Sequence, residues 1–313
     1  MLQYQKLAQG ITCIDAQLYG PNLTCFYLIE SAGELAFIET GHAHAAPVAI
    51  ALLKEMGYRP EQVRYIIPTH VHLDHAGAAG ILHEQCPNAR LLAHPKGARH
   101  LIDPSRLWAG AEAVYGRAKL LETFGQIQSA DSSRVVIVDD GDSLELGNRA
   151  LEIRHTPGHA AHHLCVWDDQ SRGWFSGDTF GFGYAALNNK QFPFLIPPTS
   201  PVQFNPQQYI ASIELLLSYN PECIYLTHYG LINNALEASK GLISLINSYC
   251  EIARGSDPGE SQVDDISDAI TSLTLDKLMD YGSPLDREAA RQLIVGTMGL
   301  AAQGLAVWLN QDQ

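Results

Sequence analysis

Positive charge is scarce in this chain. Twenty Lys and Arg stand against 34 Asp and Glu, a formal net charge of −14. That balance argues against nucleic acid as the main partner, because phosphate binding wants a basic surface, but it leaves room for a local basic pocket. Cysteine is also sparse. Cys13, Cys25, Cys86, Cys165, Cys223 and Cys250 are scattered, with no CxxC pair, and read as reduced, mostly buried thiols. Residues 1–20 contain no apolar core of signal-peptide type, so a cytoplasmic location is the expectation. No internal repeat and no low-complexity tract interrupts the chain. What remains is a globular composition, 46% hydrophobic and 17% charged, in a chain long enough for one large core or a core plus a smaller domain.

Short apolar runs alternate with turn signals through the first two-thirds. Residues 25–29 and 35–38 read as strands of a hairpin across Ser31-Ala32-Gly33. Residues 47–56 read as a helix ended by Gly57, and 63–67 as an apolar strand. Further strands are expected at 89–93, 135–138, 150–155, 163–167, 173–176 and 223–227, with a helix at 80–85. Residues 94–130 read as helix and loop. The Pro- and Phe-rich stretch 188–206 reads as an ordered surface loop, since proline cannot donate within a sheet. After Gly230 the strand signals vanish, and helices are expected at 231–254, 263–280 and 285–309. Residues 293–309 are nearly uncharged, yet they are short for a membrane span and include Thr297, Gln303 and three glycines. A helix buried on the main domain or in a homodimer interface is the expectation, with no membrane partner.

The densest chemistry lies at His70-Val71-His72-Leu73-Asp74-His75. His70 and His72, two residues apart, share one face of an extended segment. Asp74 and His75 follow where the chain turns. Imidazole and carboxylate suit zinc, iron or manganese. Three more clusters follow expected strands, where a loop carries function on a rigid scaffold. These are Thr156-Pro157-Gly158-His159, Gly177-Asp178-Thr179-Phe180 and Thr227-His228-Tyr229-Gly230.

This ordered set resembles the metallo-β-lactamase-fold hydrolase superfamily over about residues 10–232. Glu39-Thr40-Gly41 stands where that family usually has Asp-Thr-Gly, a departure that touches support of the site. The resemblance implies an α+β fold: a four-layer αββα sandwich over residues 1–230, with a helical extension over 231–313. It also implies a two-metal centre. His70, His72 and His159 would bind one divalent ion, Asp74, His75 and His228 the other, and Asp178 would bridge them. Zinc is the first expectation, with manganese or iron as alternatives. The expected reaction is hydrolysis of a small-molecule ester, thioester or lactone by a metal-bridging hydroxide. The layout is similar to hydroxyacylglutathione hydrolases and equally to lactonases. A mononuclear-iron persulfide dioxygenase and a metal-holding protein without turnover are the alternatives. His72, where flavodiiron oxidases usually have glutamate, disfavours that group.

Other residues carry secondary expectations. Asp74 is expected to orient the nucleophile as well as ligate. Tyr184 and Tyr229 are candidate hydrogen-bond donors to an oxyanion. Lys96 and Arg99 are candidates to hold a substrate carboxylate or phosphate. Phe192, Phe194 and Phe204 are candidates to wall an apolar pocket. His42 and His44 read as exposed residues at a helix start. His155, His162 and His163 read as outer-shell hydrogen-bonding groups, and His83 as a helix-flank residue without a role.

Overall fold

The structure is a computed structural model that describes residues 2–189, 193–199 and 201–311. Among them, thirteen strands form two sheets. The first has seven strands in sequence order: β1 (Tyr4–Lys6), β2 (Ile11–Asp15), β3 (Cys25–Ser31), β4 (Glu34–Ile38), β5 (Val63–Ile67), β6 (Arg90–Ala93) and β7 (Val135–Ile137). The second contains β8 (Ser143–Leu146), β9 (Arg149–His155), β10 (Leu164–Asp168), β11 (Gly173–Gly177), β12 (Cys223–Leu226) and β13 (Gly230–Ile232), in the order β13-β12-β11-β10-β9-β8.

By compactness the chain divides into two units. The first comprises residues 1–155, 162–177 and 227–230. Its β1–β4 ladder is antiparallel, with Leu28 opposite Phe37, as the hairpin reading expected. From β4 to β7 the pairing turns parallel. Parallel neighbours need a crossover, supplied by α1 (Ala46–Glu55), then α2 (Leu73–Ala76) and α3 (Ala79–Gln85), then α4 (Ala98–Ile102), α5 (Ser105–Tyr115) and α6 (Arg117–Phe124). Parallel strands bring their carboxyl ends to one edge, where α/β sheets bind ligands. Glu39 leaves β4 there, Thr69 to His75 follow β5, and His94 leaves β6. β2, β10 and β11 are buried at every position, as strands covered on both faces are. The apolar core between sheet and helices includes Phe26, Phe37, Leu52, Ile66, Leu82 and Leu91.

The second unit comprises residues 156–161, 178–226 and 231–313. It carries β12, α7 (Pro206–Ser218), α8 (Ala235–Arg254), α9 (Gln262–Tyr281) and α10 (Arg287–Gln311). The last helix buries Ala290, Ile294, Met298, Ala301, Leu305 and Trp308, a spacing of three and four that lines one helix face. It packs on α9 and α8. By length and composition alone it would also pass as a membrane span.

Three local expectations need correction. The strand signal continues past Gly230: Leu231 is exposed and Ile232 buried, and Asn234 at φ +60° delays the helix to Ala235. β1, β2 and β8 escaped the sequence reading; in β2, Thr12 and Asp15 hid a buried strand, Asp15 accepting from the backbone N–H groups of Gln17 and Asn22. The 188–206 stretch is less superficial than expected. Leu195, Ile196 and Phe204 are buried, and Ile196 bridges Phe182 in antiparallel fashion. The six cysteines are buried, and none forms a disulfide with another described residue.

Candidate metal centre

In the first unit, His70 to His75 leave β5 through a turn into α2. The turn Glu39-Thr40-Gly41 clamps that short helix. The Thr40 N–H and hydroxyl both donate to the His75 carbonyl at 2.8 Å, and the Ala78 N–H donates to Gly41 O at 3.0 Å. Four-residue helices leave most of their backbone groups without intrahelical partners, so the clamp fixes where α2 points its side chains. Gly177 ends β11 at φ +48°, and a Cβ there would stand 2.4 Å from Thr69 Oγ1 and 2.6 Å from His163 Nε2. Only glycine fits.

Glu39 organises the imidazoles. Its side chain is buried. Oε1 accepts from His75 Nδ1 at 2.8 Å, Thr69 Oγ1 at 2.6 Å and Thr227 Oγ1 at 3.1 Å, and Oε2 accepts from Thr69 N at 2.9 Å. A carboxylate so engaged supports ligands and is not itself one. Because the Thr69 hydroxyl proton goes to Glu39, Thr69 Oγ1 receives His70 Nδ1–H at 3.0 Å. Glu39 thus sets His75 directly and His70 through Thr69, so that each ring turns its Nε2 toward the other histidines of the cluster. His228 Nδ1 donates to Leu23 O at 3.2 Å, which turns its Nε2 toward His75.

These atoms converge. His75 Nε2 and His228 Nε2 are 3.3 Å apart, His228 Nε2 and Asp74 Oδ2 3.3 Å, and His75 Nε2 and Asp74 Oδ2 3.4 Å. Tetrahedral ligands at bond lengths of about 2.0–2.1 Å stand about 3.3–3.4 Å from one another. The triangle has the spacing that one face of a tetrahedral site would need, and its donor chemistry fits a divalent cation. His70 Nε2 and His72 Nδ1 lie 2.8 Å apart. Burial opposes ionisation of Asp74, yet the imidazoles of His75 and His228 hold its carboxyl well below the usual carboxylate range.

His159 and Asp178 belong to the second unit. A Cβ on Gly158 would stand 2.2 Å from Tyr209 Cα, so the turn before His159 rests directly on α7. His159 Nδ1 donates to Pro198 O at 2.8 Å, and His159 Nε2 is 3.2 Å from Asp178 Oδ2. Tyr209 Oη donates to Asp178 O at 2.6 Å. This pair too has its outer nitrogen committed and its inner donors adjacent.

The remaining expected residues are placed as follows. Tyr184 Oη is 2.7 Å from Thr297 Oγ1 in the second unit. Tyr229 is raised above the ordinary phenol range, chiefly by burial and then by the Cys13 and Cys25 thiols. Lys96 and Arg99 are exposed, and Arg99 Nε donates to His100 Nε2 at 3.2 Å. Phe194 meets the ring of Tyr281 edge-on at 5.4 Å; Phe192 lies outside the described residues. Phe204 packs edge-on against Tyr209 and Trp308. His163 stacks on His70 at 4.8 Å, and His162 lies 5.9 Å from His72. His155 Nε2 donates to Val138 O. One expectation of exposure fails, at His42. His42 is 6% exposed, while its neighbour His44 is exposed, and His83 is fully buried. Thr69 and Thr227 were missed as support for the centre. Their signal was a threonine immediately before a histidine, twice, with both hydroxyls going to one carboxylate.

Comparison with known proteins agrees with this geometry. A metallo-β-lactamase fold-containing protein of Sulfurisphaera tokodaii is 27% identical over 177 residues, 55% of this chain and 63% of that protein. A human acyl-coenzyme A thioesterase is 25% identical over 187 residues, 56% of this chain and 65% of the relative. A hydroxyacylglutathione hydrolase of Klebsiella pneumoniae is 28% identical over 156 residues, 50% of this chain and 46% of the relative. The chain thus spans just under two-thirds, or less, of these relatives. Among solved structures, a metallo-beta-lactamase family protein of Thermus thermophilus superposes with TM-score 0.68 at 18% identity, covering 98% of this chain and 95% of that one. An archaeal superfamily protein of Sulfolobus tokodaii superposes with TM-score 0.65 at 22% identity, covering 88% and 100%. The family model of the metallo-beta-lactamase superfamily matches residues 20–228, and the chain belongs to that superfamily.

Proposed function

We propose that the protein is a binuclear metal-dependent hydrolase of small-molecule esters, thioesters or lactones. The observation that carries this reading is the triangle of Asp74, His75 and His228, with edges of 3.3–3.4 Å and outer nitrogens committed. In this proposal Asp74, His75 and His228 hold one divalent ion, His70, His72 and His159 hold the other, and Asp178 is shared. Such ions, zinc first among them, lower the pKa of a coordinated water to about 7 and polarise a substrate oxygen. The chain's own residues supply the rest. Glu39 keeps the rings of His75 and His70 correctly turned. Asp74, held ionised, accepts a hydrogen bond from an incoming water and orients it. Similarity to a hydroxyacylglutathione hydrolase and an acyl-coenzyme A thioesterase supports carbonyl substrates.

The test is metal analysis of the purified chain together with a panel of thioesters, lactones and phosphodiesters. Two ions per chain with carbonyl hydrolysis are expected. One iron per chain with oxygen uptake on a persulfide would replace this reading with the dioxygenase.

A further inference from the structure

A groove of about 770 Å³ opens in the first unit beside α6, lined by Leu18, Tyr19, His42, His44, Lys119 and Glu122 among others. Its size is that of a ligand site. Its floor continues into an apolar cluster of Leu18, Leu120, Phe124 and Ile127 that includes Leu73, the first residue of the metal-centre helix α2. A Cβ on Gly77, just past that helix, would stand 2.9 Å from His42 Cα. The charge of Asp74 acts on both His42 and Tyr19. The groove and the Asp74 triangle are therefore neighbours within one unit.

His42 is the odd residue there. It is buried, yet Nδ1 has no hydrogen-bond partner and is shut off from solvent. Nε2 makes no hydrogen bond either and is not shut off, so it is the edge the ring presents. Burial and the neighbouring His44 push the imidazole down to about 4, so it is neutral and carries one proton. Placing that proton on Nδ1 would bury an unsatisfied N–H, which is costly. Placing it on Nε2 avoids that cost and offers a donor at the groove. Around it stand one cation, Lys119, and one anion, Glu122, which balance. Tyr19, 65% exposed, lies edge-on to Phe124 at 6.2 Å and offers a flat apolar wall. A charged ligand gains nothing net from this lining. A neutral amide gains twice: its carbonyl accepts from His42, and its N–H finds carboxylate or Gln17 oxygen in the same groove.

We infer that this groove binds an amide-bearing arm of the substrate, with His42 Nε2–H donating to the amide oxygen, which makes His42 a specificity-determining residue for the hydrolysis proposed above. The inference rests on that reading for the identity of the ligand as substrate, and its test does not require turnover.

The probes are S-hexyl-N-acetylcysteamine, a non-hydrolysable thioether with one amide, and the analogue with methoxy in place of acetamide. Both are titrated into the metal-loaded full chain, with calorimetry and imidazole 15N NMR as readouts. The His42 signals are assigned by their loss in His42→Gln or His42→Ala. Saturation with the amide probe should move the His42 Nε2 resonance. Its Kd should weaken about five- to tenfold in His42→Ala, the loss of one hydrogen bond, and less in His42→Gln. The methoxy probe should bind more weakly and change little between variants. An unmoved His42 resonance overturns the inference, as does an unchanged Kd in His42→Ala. Equal weakening of both probes, or no binding of the amide probe, overturns it too. Should the chain bind the amide probe as expected yet hydrolyse no ester, thioester or lactone, the hydrolase reading fails and the groove stands.

Discussion

His75 Nδ1 donates to Glu39 Oε1 at 2.8 Å, with both side chains buried. The same oxygen takes the hydroxyls of Thr69 and Thr227. One carboxylate thus fixes a ring from α2 and the two threonines that precede His70 and His228. Glu39 pays for this position in backbone strain, at φ +63°.

Glu39→Gln should keep the volume and lose the acceptor geometry. One of its two oxygens becomes an NH2 facing donors. Metal affinity should fall about 10- to 100-fold, measured by competition with a chromophoric chelator. Glu39→Asp keeps the charge, tolerates positive φ better and loses one methylene of reach; its affinity should fall less than that of Glu39→Gln.

Removal of a ligand should be read in metal content first. Under the binuclear proposal, His228→Ala should lower bound metal from two ions to about one per chain, with turnover down by at least about 100-fold. Asp178→Ala should lower both. Unchanged metal content and activity in Asp178→Ala would sink the site assignment.

Acid stability should be lost in a defined window. Burial and His44 push His42 down to about 4, and burial, His155 and Lys96 do the same to His94. Unfolded, each titrates near 6.5. Between these values the unfolded chain binds more protons, so stability falls as pH drops from about 6.5 to about 4 and levels off below. Each group contributes on the order of 3 kcal/mol. Denaturant melts at several pH values check this, and His94→Gln should flatten part of the slope.

A buried ion pair far from the metal centre sets a separate expectation. Arg149 Nη1 and Asp168 Oδ2 are 3.5 Å apart, with side chains 1% and 0% exposed. Arg149 also bonds Gln9 O and Gln170 Oε1. Asp168→Ala should destabilise by about 3–5 kcal/mol by stranding the guanidinium. The double change Arg149→Met with Asp168→Leu should recover much of that loss in chemical denaturation, with metal content unchanged.

The turns that carry the His and Asp clusters were legible because metal chemistry uses few residue types and spaces them tightly. The strand-and-helix rhythm was legible wherever apolar runs met Gly or Pro, as at 63–67 or 47–56. β2 was not, since a buried strand holding Thr12 and Asp15 reads as polar. Nor was the burial of His42. A histidine at a helix start looks like solvent until Gly77 is seen against its backbone.

By itself, then, the sequence put forward the proposed donor set, His70, His72, Asp74, His75, His159, Asp178 and His228, in turns and a short helix that follow strands. That follows from local chemistry, since side-chain identity and spacing are written along the chain. Only the tertiary structure decided which nitrogen each imidazole turns inward, because the choice depends on Glu39, Thr69 and the carbonyls of Leu23 and Pro198. These partners lie far from the rings in sequence or carry no side-chain signal, and a tautomer is set by what the other nitrogen meets in space.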